Sequence, residues 1–130
     1  MILGFKDRFV PAVADGTKPH TIRAGERWKL GMKIHFYQKV RQAGMAKIRE
    51  DGEARVVQRV CLFDKGQHNP HVPNRQPWLF IDGRLLTPLE SQILACNDGF
   101  DDFAGLLQFF RDNHGLPFTG QLIGWTDLRY

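Results

Sequence analysis

The sequence predicts an α+β fold, and three observations predict it. The run ARVVQRVCLF (54–63) is dense in β-branched residues and reads as a long buried strand. Two segments of the C-terminal half carry helix punctuation with apolar residues at helical spacing. The elements also arrive in the mixed order β-α-β-β-β-β-α-α-β, which favours a small sheet or barrel with helices packed on it. With 130 residues, 42% of them hydrophobic and 25% charged, the chain is long enough to bury one core and is expected to form one domain.

Residues ILGF (2–5) open as a short strand. Phe9, Val10 and Val13 follow at helical spacing, with Pro11 tolerated because it falls in the first turn. Asp15-Gly16 ends that helix and delivers the loop GTKPHTIR (16–23), in which Pro19 biases Lys18 toward extended backbone. Thr21-Ile22-Arg23 reads as a strand with Ile22 inward, so Thr21 and Arg23 share the opposite face. A turn over 29–33 leads to IHFY (34–37), where Ile34 and Phe36 alternate with His35 and Tyr37.

The polar stretch 38–53, broken by Gly44 and Asp51-Gly52, predicts a loop or an irregular hairpin. After strand 54–63, the proline-rich segment 64–77 is expected to be an exposed loop, with a lid as one open possibility. WLFIDGRLL (78–86) is a hairpin turning at Asp82-Gly83. Thr87-Pro88-Leu89-Glu90 fits a capping box, and Leu89 and Ile93 are the expected buried stripe of that helix, which ends near Asn97-Asp98-Gly99. Asp101 or Asp102 caps the next helix, in which Phe103, Leu106, Leu107 and Phe110 line one face until Gly115 and Pro117 stop it. QLIGW (121–125) is the last strand.

Charge is unevenly spread. Residues 1–60 hold 13 Lys/Arg against 6 Asp/Glu, whereas residues 61–130 hold 5 against 8. A basic N-terminal half suits an anionic partner, although a solvated surface is the commoner explanation of a net charge of +4. No run approaches the length of a membrane span, and no basic leader with an apolar stretch opens the chain. A cytoplasmic protein with Cys61 and Cys96 as free thiols is therefore expected. The pair His68 and His71 has a metal-like spacing, but it sits on a proline-broken loop without cysteines, so neither a metal nor a cofactor is expected.

The blocks GTKPHTIR (16–23), WKLG (28–31), DGF (98–100) and GLPFTGQLIGW (115–125) together resemble the ASCH domain family, in order and across nearly the whole chain. The resemblance implies a PUA-like fold, a small, strongly curved β-barrel with flanking helices. It also implies recognition of RNA or a modified nucleoside as ligand. Some stand-alone members of that family are metal-independent amidohydrolases that deacetylate 4-acetylcytidine, and others have been proposed as ribonucleases. The amidohydrolase set maps onto Lys18, Thr21 and Asp98, the last one methylene shorter than the family's glutamate.

The residues themselves allow that chemistry. A threonine hydroxyl attacks a carbonyl only if a neighbour takes its proton, and a lysine does so only if its pKa is pulled down by burial or nearby cations. His20 and Arg23 supply such cations and are expected to line the ligand cleft, while Asp98 beside Lys18 works the other way. Arg23 either pairs with an acidic neighbour or forks onto a phosphate. Trp28 and Tyr37, with the cations Lys39 and Arg41, are candidates for stacking on bases and holding a backbone, Tyr37 being the better placed. RNA cleavage would use a lysine or a tyrosine as the acid–base group, and Tyr37 and Lys39 are the nearest candidates.

Overall fold

The computed structural model describes residues 1–67 and 77–130. It is an α+β arrangement of two sheets and three helices. In the first sheet β1 (Ile2–Phe5) runs parallel to β3 (Lys33–Gln38). The short strands β4 (Ala46–Lys47) and β5 (Gly52–Glu53) pair antiparallel with β3, so the polar stretch 38–53 is the irregular hairpin its breakers suggest. The second sheet is antiparallel, in the order β2 (His20–Ala24), β9 (Phe118–Gly124), β6 (Val56–Phe63), β7 (Trp78–Ile81) and β8 (Arg84–Leu85).

The expected curved barrel is not closed. Among the described residues no ladder joins the two sheets, and β1 and β2 are both edge strands. Side chains hold the sheets together instead: the Trp125 ring meets Phe36 edge-on at 4.9 Å and Phe5 at 6.1 Å between centroids. Apolar residues from both sheets, among them Leu3, Ile34, Val60 and Leu122, share one core with Leu94 and Leu106 of the helices.

A 3₁₀ turn (Asp7–Phe9) leads into α1 (Val10–Asp15), with Pro11 in the first turn. Helix α2 (Pro88–Asn97) has the full capping box: Thr87 Oγ1 accepts from the Glu90 amide and Glu90 Oε1 from the Thr87 amide. Asp102 caps α3 (Phe103–Asn113) by accepting from the Gly105 amide. The buried face of α3 is the expected one, with Leu106, Leu107 and Phe110 inside.

The face of α2 is not the expected one. Leu89 is 70% and Ile93 48% exposed, and the buried residues are Ser91, Leu94 and Ala95. These three continue at helical spacing to Asp98, whose side chain is also buried. Small Ser91 and Ala95 let the helix approach closely, and the paired carboxylate at its end fixes the same rotation. No helix among the described residues is long and apolar enough to cross a membrane, and Cys61 and Cys96 are not disulfide-bonded.

Candidate functional site

Between the open edges of β1 and β2 lies a cavity of about 280 Å³. Its wall takes Gly4 and Phe5 from β1, Thr21 and Arg23 from β2, Phe9, Lys18, Asp98, Phe100, and Phe109 with His114 from the end of α3. Arg23 spans the gap between the two edges: its Nη2 donates to the Gly4 carbonyl at 2.7 Å.

The local sequence explains how Lys18 arrives there. Gly16 ends α1 in the left-handed conformation (φ 84°). The Lys18 amide then donates back to the Ala12 carbonyl, and the Pro19 carbonyl accepts from the Trp125 amide. Pinned at both points, the loop turns the Lys18 side chain inward, where it is 2% exposed. Its Nζ donates to the Asp98 carbonyl at 2.5 Å and to Asp98 Oδ1 at 2.9 Å, and lies 4.9 Å from the centroid of the Phe9 ring.

Asp98 is the C-terminal cap of α2, a position where the helix dipole disfavours a carboxylate. Two donors compensate, since His20 Nδ1 also meets Oδ1 at 2.9 Å. The His20 Nε2 pairs with the Tyr130 hydroxyl at 2.7 Å, which in turn accepts from Asn97 Nδ2 at 3.0 Å. Gln58 fixes Tyr130 by exchanging hydrogen bonds with its main chain. His20, expected to line the ligand cleft, is instead buried behind the cavity as a support for Asp98.

The opposing effects on Lys18 resolve in one direction. Burial lowers its pKa below the ordinary lysine value more than Asp98 raises it, and the charges of Arg23 and Arg8 add to the lowering. Burial pushes the Asp98 carboxyl up, but the Lys18 charge and the His20 contacts outweigh it and hold the group below its ordinary value. Burial lowers the pKa of Arg23, partly offset by Asp98; a guanidinium nonetheless stays charged. Thr21 is 5% exposed on the cavity wall, and no side-chain hydrogen bond engages its hydroxyl among the described residues.

Lys18, Thr21, Arg23 and Asp98 thus meet in one place, and the shared face of Thr21 and Arg23 follows from strand alternation as expected. The other candidates lie elsewhere. Trp28 is 6% exposed and packs in the core, its main chain bonded to the Gln121 amide. Tyr37 lies on β3 opposite Lys47, away from the cavity wall. Lys39 and Arg41 sit at positive φ in the turn after β3, and Lys39 lines only a shallow neighbouring hollow shared with Lys6. His68 and His71 fall outside the described residues, among which no cluster of metal-ligating side chains occurs.

Sequence reasoning missed Lys6, Phe9, Phe109, Asn113, His114 and Tyr130. Phe109 stands one step round α3 from the buried Phe110 and so reads as a surface position, whereas His114 falls one turn beyond Phe110 on the same face, a spacing that could have found it. The chain matches no family model, no curated protein and no solved structure.

Proposed function

We propose that the chain recognises a modified nucleoside, as an ASCH-type protein of PUA-like ancestry, in the cavity between β1 and β2. The observation that carries this reading is one cavity whose wall combines Lys18, Thr21 and Arg23 with five phenylalanines. Small-molecule sites start at roughly 300 Å³, so a volume near 280 Å³ suits one nucleoside better than a helical stretch of RNA. Phe5, Phe9, Phe100 and Phe109 offer the apolar faces a base needs.

A second reading, amide hydrolysis on an acylated cytidine, is favoured by the bonding of Lys18. A neutral amine has two N–H groups and one lone pair. Both N–H groups have acceptors on Asp98, which leaves the lone pair for a proton from Thr21. The Thr21 oxygen would attack the acyl carbon and pass its proton to Lys18 Nζ. The C–N bond would then break, with that proton moving to the departing amine, and water would hydrolyse the remaining acyl ester. Arg23 is the nearest charge able to stabilise a developing oxyanion.

Chromatographic turnover of 4-acetylcytidine, with calorimetric binding alongside, tests both readings in wild type and Thr21→Ala. Conversion by the wild type, with binding but no conversion by the variant, supports both. Binding without conversion by the wild type leaves recognition standing and removes hydrolysis. Neither binding nor conversion refutes the nucleoside reading.

A further inference from the structure

Building on that nucleoside reading, we propose that the ligand is a phosphorylated nucleoside, a mononucleotide whose phosphate is gripped by Arg23 with Lys6 and His114 at the cavity mouth. Buried charges are as a rule paired, because an uncompensated one is costly to desolvate. Lys18 obeys that rule through Asp98. Arg23 does not: among the described residues no carboxylate lies within 4.0 Å of it, and its buried Nε has no hydrogen-bond partner. The guanidinium is nevertheless held in place, by the Gly4 carbonyl at one end and by the Phe5 ring, whose centroid is 5.1 Å away. A fixed, unpaired guanidinium in a cavity wall matches a tetrahedral oxyanion.

The surroundings agree. The wall carries Lys6, Lys18 and Arg23 against Asp98 alone, and the Asp98 Oδ1 already serves Lys18 and His20. Lys6 also has no carboxylate partner among the described residues; its Nζ donates to Asn113 Oδ1 at 2.8 Å and lies over the Phe109 ring. His114, stacked on Phe110, titrates below its ordinary value through partial burial and then the charges of Arg23 and Lys6. The carbonyls of Phe110 and Arg111 at the end of α3 accept from the His114 and Gly115 amides, so they are engaged within the chain.

Calorimetric titration of wild type, Arg23→Gln and Lys6→Ala with cytidine, cytidine 5′-monophosphate, cytidine 3′-monophosphate and inorganic phosphate tests the assignment. One of the two monophosphates is expected to bind wild type at least about tenfold tighter than cytidine, as a charge-assisted pair implies. Arg23→Gln should bring that ratio to about one, and the exposed Lys6→Ala, which leaves the core untouched, should reduce it about threefold. Equal binding of cytidine and both monophosphates overturns the phosphate site and leaves the nucleoside reading standing. Arg23-dependent binding of inorganic phosphate without any binding of the cytidine compounds removes the nucleoside reading and, with it, the mononucleotide. A monophosphate preference that survives both substitutions also overturns it.

Discussion

Lys18→Met should destabilise the protein strongly although the side chain is shortened by only one heavy atom. The lysine and Asp98 side chains are 2% and 4% exposed, and their contact is 2.9 Å. Methionine fills most of the same volume but donates nothing, so the Asp98 carboxylate and the last-turn carbonyl of α2 lose their shared donor. Breaking a buried ion pair from one side costs about 3–5 kcal/mol, because the remaining charge stays desolvated. For a chain of 130 residues that loss lowers the melting temperature by roughly 10–20 °C. Urea unfolding at pH 7 measures it directly, and the double variant Lys18→Met/Asp98→Asn, which removes the orphaned charge, should recover more than half. A single-variant loss below about 1 kcal/mol would refute the reasoning, since it would mean that Asp98 is solvated or paired by His20 alone. This expectation is also why Thr21→Ala, and not a Lys18 variant, is the test of chemistry.

Asp98 titrates below its ordinary value of 3.8 in the fold, so the folded chain binds that proton more weakly than the unfolded chain does. Its stabilisation is complete above the unfolded value and is lost as the pH falls through the lower folded value. Acid unfolding should therefore be shallower below pH 4 in Asp98→Asn than in wild type, as read by circular dichroism. Gly99→Ala meets two obstacles: a φ of +99°, and a Cβ that would lie 2.9 Å from Phe9 Cδ1. It should cost about 1–3 kcal/mol in thermal unfolding and, by moving Phe9, weaken ligand binding; a stability within about 0.5 kcal/mol of wild type refutes the assigned backbone.

Much of the fold was legible because local signals and burial agree. The α3 face, the alternation along β3 and the Thr87–Glu90 capping box each follow from spacing alone. The α2 face was not legible, because its most apolar pair, Leu89 and Ile93, is not the pair that packs. A helix ten residues long ending in a buried carboxylate is rotated by that carboxylate's partners, and Lys18 and His20 lie roughly 80 positions away in the chain. The separation into two sheets was equally hidden: whether β1 pairs with β2 depends on what fills the gap, and here the Arg23 side chain occupies it. Of the site, Lys18, Thr21, Arg23 and Asp98 were legible through the ordered motif blocks. Trp28, Tyr37, Lys39 and Arg41 were nominated by residue type among cations, and type does not say which side of a strand or turn a residue occupies.

An aspartate at position 98 is compatible with the proposed hydrolysis because the lysine comes to it. Asp98 ends α2 with its own carbonyl unsatisfied inside the helix, and its short side chain keeps the carboxylate beside that carbonyl. One nitrogen can then serve both oxygens, as the 2.5 and 2.9 Å contacts of Lys18 Nζ do. That double anchorage costs the lysine two of its hydrogens and its rotational freedom, and burial lowers its proton affinity at the same time. A side chain recruited to close a helix end is thereby left with a single direction, for its third hydrogen or its lone pair. Structural demand and the proposed role as a base are not competing accounts of Lys18: the first creates the conditions that the second requires.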